Sequence, residues 1–296
     1  MVAADLHVHT TNSDGTFRYD EVAPAARAAG LGAVAITDHD RLHPALGAPV
    51  VERDGITLIH GIKLRVGAGD QRVDLLGYGA RPTDALTAEI DRLQRDRVER
   101  GRAIVECVED RLGVDLGIDP GPGLGRPDIA RAVVASDADY DAIPEVFDDL
   151  IGEGDPCYVA RDVPSFERGR ELLAEACDLV GLAHPLRYPD PEAALDLAPR
   201  LGALEAVYPY GARGHTDSTG TLDEAHVREV ADRNDCLVTG GSDAHDRSLG
   251  RPASPLGSSS GSQSRSASIR DRRRRGQFPR GNGRLAAASD ARRPVS

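Results

Sequence analysis

Lysine is all but missing from this 296-residue chain: Lys63 is the only one, and arginine supplies every other side-chain cation. Cysteine is also scarce, with four residues (Cys107, Cys157, Cys177, Cys236) that form no Cys-x-x-Cys pair and no small-domain density. That spacing argues against a thiolate zinc site or a disulfide scaffold, and predicts buried or half-buried thiols in a reducing compartment. No apolar run approaches the 18 residues of a membrane span, and the start shows no basic segment followed by an apolar one. A cytoplasmic protein without a membrane partner is expected.

Charge is unevenly placed. The chain has 36 Lys+Arg against 48 Asp+Glu, net -12, but residues 251–296 hold 11 Arg and 2 Asp, leaving residues 1–250 at 25 basic against 46 acidic groups, or -21. So acidic a body repels nucleic acid unless a local patch or bound cations reverse the field. An acidic, lysine-poor surface also suits concentrated salt, which predicts a halophilic source. The Ser/Gly/Arg-rich stretch over 248–296 has few large apolar groups and reads as a disordered tail, either a decayed C-terminus or a basic arm that contacts phosphates.

What is present is a repeated strand-then-helix pattern. Apolar runs at Ala33–Thr37, Thr57–His60, Arg72–Leu76, Leu179–Ala183, Leu204–Tyr208 and Leu237–Thr239 alternate with helical segments at Tyr19–Ala29, Phe166–Ala176, Pro191–Leu201 and Leu222–Arg233. This predicts a parallel sheet covered on both faces, with polar residues after the strands, the catalytic face of a (β/α) barrel. Leu86–Leu112 reads as a charged amphipathic helix, and with further helical segments near 129–134 and 143–151 it makes residues 80–165 a small helical insertion. The barrel then comprises 1–79 and 166–247.

The chemistry sits at the strand ends. In Asp5-Leu-His-Val-His-Thr-Thr-Asn-Ser-Asp-Gly15 a strand would point His7 and His9 to one face, and the Ser-Asp-Gly turn can return Asp14 to the same mouth. Thr37-Asp38-His39, His184-Pro185 and Ser242-Asp243-Ala244-His245 close other runs. Imidazole and carboxylate groups gathered from so wide a span of sequence point to a centre for Mn, Zn or Fe rather than Mg.

These motifs, with Leu75-Leu76-Gly77-Tyr78-Gly79, Gly125-Arg126-Pro127, Tyr158-Val159 before Pro164-Ser165, and Leu182-Ala183-His184-Pro185, resemble the PHP (polymerase and histidinol phosphatase) family, most closely its free-standing nucleotide-phosphoesterase branch. The resemblance spans about residues 4–247. It implies a distorted seven-stranded (β/α) barrel, two or three divalent ions (Mn, Zn or Fe), and hydrolysis of phosphate esters by metal-activated water without a side-chain nucleophile. The implied ligands are His7, His9 and Asp243 for one ion, and Asp14, His39, His184 and His245 for another. Arg187 is a candidate phosphate clamp, or else a solvated arginine. The implied substrate is a small phosphorylated molecule, a nucleotide or a short single-stranded oligonucleotide, with a histidinol-phosphate-type monoesterase as the alternative.

The chain departs from the family in one region. Where the resemblance implies a metal-bridging glutamate stands Lys63, and where it implies two histidines stand Asp74 and Asp128. Aspartates can ligate; an ammonium cannot, and it repels neighbouring ions. Three readings stay open: Lys63 disables the enzyme, leaving a protein that binds metal or phosphate without turnover; it supplies a fixed cation in place of one ion; or it points outward.

Overall fold

The computed structural model describes residues 3–121, 124–210, 222–246 and 249–250; the expected tail beyond Gly250 lies outside them. The strands are β1 (Ala4–Val8), β2 (Ala33–Ile36), β3 (Val50–Arg53), β4 (Ile56–Ala68), β5 (Gln71–Tyr78), β6 (Leu179–Leu182), β7 (Ala203–Val207) and β8 (Leu237–Gly240). They form one sheet in the order β1-β2-β4-β5-β6-β7-β8, with β3 appended to β4. The ends meet where Val8 bridges Ala244 and the His9 N–H donates to the Ala244 carbonyl at 3.0 Å, so the seven-stranded path nearly closes into a barrel.

The expectation of an all-parallel sheet requires correction. β1-β2-β4 and β6-β7-β8 are parallel, but β4-β5 and β5-β6 are antiparallel. The reason lies in Gly69-Asp70, a two-residue connection between paired Ala68 and Gln71, with Gly69 at φ 63°. A tight turn of that kind makes a hairpin, whereas a parallel neighbour needs a long crossover. β4 therefore runs on for 13 residues, parallel to β2 over its first part and antiparallel to β5 from Gly61. Along this second part Ile62, Leu64 and Val66 enter the apolar core, and period-two alternation turns Lys63 and Arg65 to the opposite face.

Helices α1 (Tyr19–Ala28), α5 (Phe166–Ala176) and α7 (Glu224–Arg233) bury Val22 and Ala26, Leu172 and Leu173, and Val227 and Val230 against the strands. The short α6 (Pro191–Leu195) joins them, ending sooner than the sequence pattern suggested because Ala198–Arg200 tightens into a 3₁₀ turn. α2 (Asp84–Leu112) begins where the Thr83 hydroxyl accepts the Leu86 N–H at 3.2 Å. Its first half gives Leu86 and Leu93 to the barrel core. Its second half packs Ile104, Val105 and Val108 against Ile129 and Val133 of α3 (Arg126–Ala135) and against Val146, Leu150 and Ile151 of α4 (Ile143–Val146) and the π-type turn that extends it. The reading of four thiols is also corrected, since Cys107 and Cys157 are joined by a disulfide within this cluster, and Cys177 and Cys236 remain as thiols. Fifty residues separate the pair, so no local spacing marked it. Among the described residues no helix is long and apolar enough to cross a membrane.

Candidate metal centre

β1 delivers His7 and His9, both fully buried, to the mouth of the barrel. The chain then doubles back, with the Gly15 N–H donating to the Thr10 carbonyl at 3.0 Å. A Cβ at Gly15 would stand 2.3 Å from the His9 carbonyl oxygen, so only glycine permits this return. Buried Asp38, at the end of β2, fixes the loop by accepting from Thr10 N (2.7 Å), Thr10 Oγ1 (2.8 Å), Ser13 Oγ (2.8 Å) and Asn12 Nδ2 (3.2 Å). Asp14 is thereby set 3.7 Å from His9, 3.8 Å from His39 and 3.5 Å from His245.

A second group forms deeper in the barrel. His184 (φ 29°) and Asp243 (φ 51°) occupy the left-handed region just past β6 and β8, a conformation non-glycine residues hold only when their surroundings enforce it. Asp243 Oδ1 lies 3.1 Å from His7 Nε2 and 3.0 Å from His9 Nε2, while Oδ2 accepts from the Tyr208 hydroxyl at 2.9 Å. Buried Glu205 on β7 sits 2.9 and 3.0 Å from His7 Nδ1 and accepts the His184 N–H at 2.8 Å. A carboxylate there assigns the proton to Nδ1 and turns Nε2 into the site. Asp5 ties the last loop by accepting from Ser242 N and Oγ at 3.0 and 2.6 Å.

The donor atoms thus fall into two sets, each with its ligand atoms within 4.8 Å of one another: His9, Asp14, His39 and His245; and His7, His184 and Asp243. This exchanges His9 and His184 relative to the division the resemblance implied. Burial pushes His9 down to about 3 against the pull of Asp243, and burial together with Lys63 holds His39 and His184 well below the usual histidine range. They are therefore neutral, the form that ligates. Burial opposes ionisation of Asp14, but the His245 hydrogen bond and the nearby imidazoles override it and hold the carboxyl low. His7 goes the other way: burial is the largest influence and lowers it, but Glu205 and Asp243 together override burial and raise it.

His7 Nε2, His9 Nδ1 and both ring nitrogens of His184 are buried without hydrogen-bond partners. Unsatisfied buried donors and acceptors are costly, and a divalent ion would satisfy them. The outer tetrad fits an ion: three imidazoles and a carboxylate suit Mn, Fe or Zn. The inner set fits one poorly. Lys63 is only 2% exposed and places Nζ 3.2 Å from Asp243 Oδ1 and 3.8 Å from Asp74 Oδ2. An ion on that Asp243 oxygen would stand within about 5 Å of the ammonium, a repulsion of about 7 kcal/mol at an effective dielectric of about 20. The reading of Lys63 as outward-pointing is thus overturned, because β4 alternation turns it inward.

Two expected ligands need correction. Both oxygens of Asp74 accept from Arg65, at 2.7 and 2.9 Å, so it borders the centre already neutralised. Asp128 belongs to neither set: 47% exposed at the start of α3, it accepts from the Gly125 N–H and from Arg131. Arg187 does reach the mouth, donating to Asp243 Oδ2 at 3.2 Å and to the Tyr208 hydroxyl at 2.7 Å. Sequence reasoning missed Glu205, Asp5, Asp38 and Arg65 as supports of the centre. Glu205 carried a signal, a charge inside the apolar run Leu204–Tyr208.

Comparison with known proteins agrees with this geometry. A model of the PHP domain matches residues 5–180. A 3',5'-nucleoside bisphosphate phosphatase of Chromobacterium violaceum is 30% identical over 259 residues, covering 83% of this chain and 88% of that one. A 5'-3' exoribonuclease of Haemophilus influenzae is 25% identical, covering 62% and 69% of the two chains. Among solved structures, a protein of Bifidobacterium adolescentis provisionally assigned as a metal-dependent phosphoesterase superposes with a TM-score of 0.65 at 26% identity, over 84% of this chain and 91% of its own.

Proposed function

The chain belongs to the PHP-domain family, and from that premise we propose that it is a metal-dependent phosphoesterase acting on nucleotides or short oligonucleotides. The observation that carries this reading is the gathering of seven histidine and aspartate ligand groups, in two sets, at one mouth of the barrel, with buried ring nitrogens left unpartnered. A divalent ion held there would supply charge to the phosphate oxygens and lower the pKa of a coordinated water.

The chain's own residues do the rest. His9, Asp14, His39 and His245 would hold the ion; Asp38 and Glu205 orient the groups around it. Arg187, kept on Tyr208, is the phosphate clamp. The hydroxyls of Thr10 and Ser13 donate to Asp38 and that of Ser242 to Asp5, which ties them into the loops that present the ligands. Water is the attacking group. Arg161, paired with Asp40, and Arg41, which donates to the Asn12 carbonyl, add cations beside the loop that carries Asp14. A further phosphate of a nucleotide would be received there, which favours nucleotides over a histidinol-phosphate-type monoester.

Mn, Zn or Fe as the metal, a cytoplasmic location and a halophilic source belong to the same reading, the last supported by the acidic body. The Cys107–Cys157 disulfide runs against a reducing compartment. The division into barrel 1–79 with 166–247, helical insertion 80–165 and tail 248–296 is likewise proposed, and the separate apolar cluster of the insertion supports it. A second reading, a relative impaired in turnover, is favoured by Lys63 alone.

The test is Mn-supplemented hydrolysis of a nucleoside 3',5'-bisphosphate and of a short 5'-phosphorylated oligonucleotide, with His39→Ala and Arg187→Ala as variants. Turnover abolished by His39→Ala, with KM raised by Arg187→Ala, is expected. A wild-type protein that binds Mn but hydrolyses neither compound would leave the impaired reading.

A further inference from the structure

We infer that Lys63 is a built-in cation of the centre: its ammonium takes the inner half, and the resting centre accepts a single divalent ion, in the His9, Asp14, His39 and His245 tetrad. The inference rests on the metal-dependent reading above and narrows it.

The backbone commits Lys63 to this position. Its neighbours Ile62 and Leu64 are locked in the apolar core, so the alternation of β4 gives the lysine no other face. Its ammonium is buried between two carboxylates, 3.2 Å from Asp243 and 3.8 Å from Asp74. These carboxylates already have their counter-charges, since Arg65 takes both oxygens of Asp74 and Arg187 donates to the second oxygen of Asp243. A divalent ion added to His7, His184 and Asp243 would enter a buried region whose negative charge is already spent, and would do so beside an ammonium.

The outer tetrad is different. Asp14 meets His9, His39, His245 and the Ser13 hydroxyl, and among the described residues no guanidinium or ammonium forms an ion pair with it. Its negative charge is available to an ion. Side-chain choice supports the same assignment. The chain uses arginine at every other cationic position, yet here it uses the one side chain whose charge is a compact point rather than a planar fork. A guanidinium grips a carboxylate side-on with two donors, as Arg65 does with Asp74, whereas an ammonium is a single compact charge. With Arg187 on the other side of Asp243, Lys63 gives the centre a cation that does not depend on metal supply.

The experiment loads the full chain with Mn²⁺, removes loosely held ion by desalting, and measures metal per chain by elemental analysis. Wild type, Lys63→Glu, Lys63→Met, His39→Ala and His184→Ala are compared, with electron paramagnetic resonance of the loaded wild type as a second readout. The expected result is a single ion in wild type with an isolated-ion spectrum, lost in His39→Ala and kept in His184→Ala. A second ion is expected in Lys63→Glu, and a second-ion affinity at least roughly tenfold higher in Lys63→Met than in wild type. Two or more ions in wild type, or a spin-coupled spectrum, would overturn the inference while leaving the phosphoesterase reading intact. So would a Lys63→Glu protein that folds and still takes a single ion. If Lys63→Glu does not fold, the wild-type spectrum and the Lys63→Met titration decide. Wild type that retains no ion at all overturns both the inference and the reading beneath it.

Discussion

Asp38 ligates nothing in the proposed scheme, yet changing it to asparagine should weaken both the fold and the metal. Its buried carboxylate accepts four hydrogen bonds of 2.7 to 3.2 Å from Thr10, Asn12 and Ser13, the loop that presents Asp14. A hydrogen bond to a charged group contributes roughly 1.5–3 kcal/mol and a neutral one roughly 0.5–1.5. In Asp38→Asn the amide oxygen would keep one pair of these bonds at the weaker value, while the amide N–H₂ would face Thr10 Oγ1, whose O–H would have to reverse to accept, and Asn12 Nδ2, where donor would meet donor. The expected loss is about 2–4 kcal/mol of stability, of which Ser13→Ala alone should reproduce about 1 kcal/mol. Because Asp14 then loses its fixed position, metal affinity should fall roughly 10–100-fold, the usual cost of removing a residue that orients ligands. Urea unfolding of the metal-free protein reads the first effect and calorimetric Mn²⁺ titration reads the second. Wild-type stability together with wild-type affinity in Asp38→Asn would refute the argument that this carboxylate builds the loop.

Other perturbations follow from the same coordinates. The Cys107–Cys157 bond closes a loop of 50 residues, so Cys107→Ser with Cys157→Ser should cost about 4 kcal/mol by the chain-entropy estimate; an unchanged urea midpoint with and without reductant would count against it. Gly15→Ala drives a Cβ to 2.3 Å from the His9 carbonyl, and the displaced loop should cost about 1–3 kcal/mol and lower metal affinity; normal Mn²⁺ binding would contradict that. Acid should weaken the metal-free fold. Burial holds His9 at about 3 and His60 at about 4, so below the unfolded-chain value of about 6.5 the unfolded state binds protons first, and stability declines as pH falls from about 6.5 towards 3. His7, where burial is overridden by Glu205 and Asp243 acting together so that the net shift is upward, acts oppositely: its contribution is present below about 6.5 and fades as pH rises above that. Urea midpoints in chelator between pH 5 and 8 measure the balance, and a midpoint that rises on acidification would show the His7 contribution to dominate.

How much was legible beforehand depended on the range of the interaction. Hydrophobic periodicity, Gly and Pro positions and the polar residues closing each run are local, and they pointed to a strand-and-helix barrel; with the family resemblance they also suggested a helical insertion and the candidate groups His7, His9, Asp14, His39, His184, Asp243 and His245. Tertiary structure alone decided what those patterns leave free. The Gly69-Asp70 turn made β4 and β5 a hairpin and so set the face that Lys63 presents. The insertion packed on itself, bringing Cys107 to Cys157, and Asp128 paired with Arg131 on its own helix. Arg65 claimed Asp74 because strand register places the two opposite each other. Glu205 became the partner of His7 across 198 residues, a pairing fixed by barrel closure and invisible to any window along the chain. The sequence names the groups able to bind a metal; which of them share one ion, and which cation stands between them, follows from register and closure, because charge and coordination act through distances of a few ångströms that only the folded chain defines.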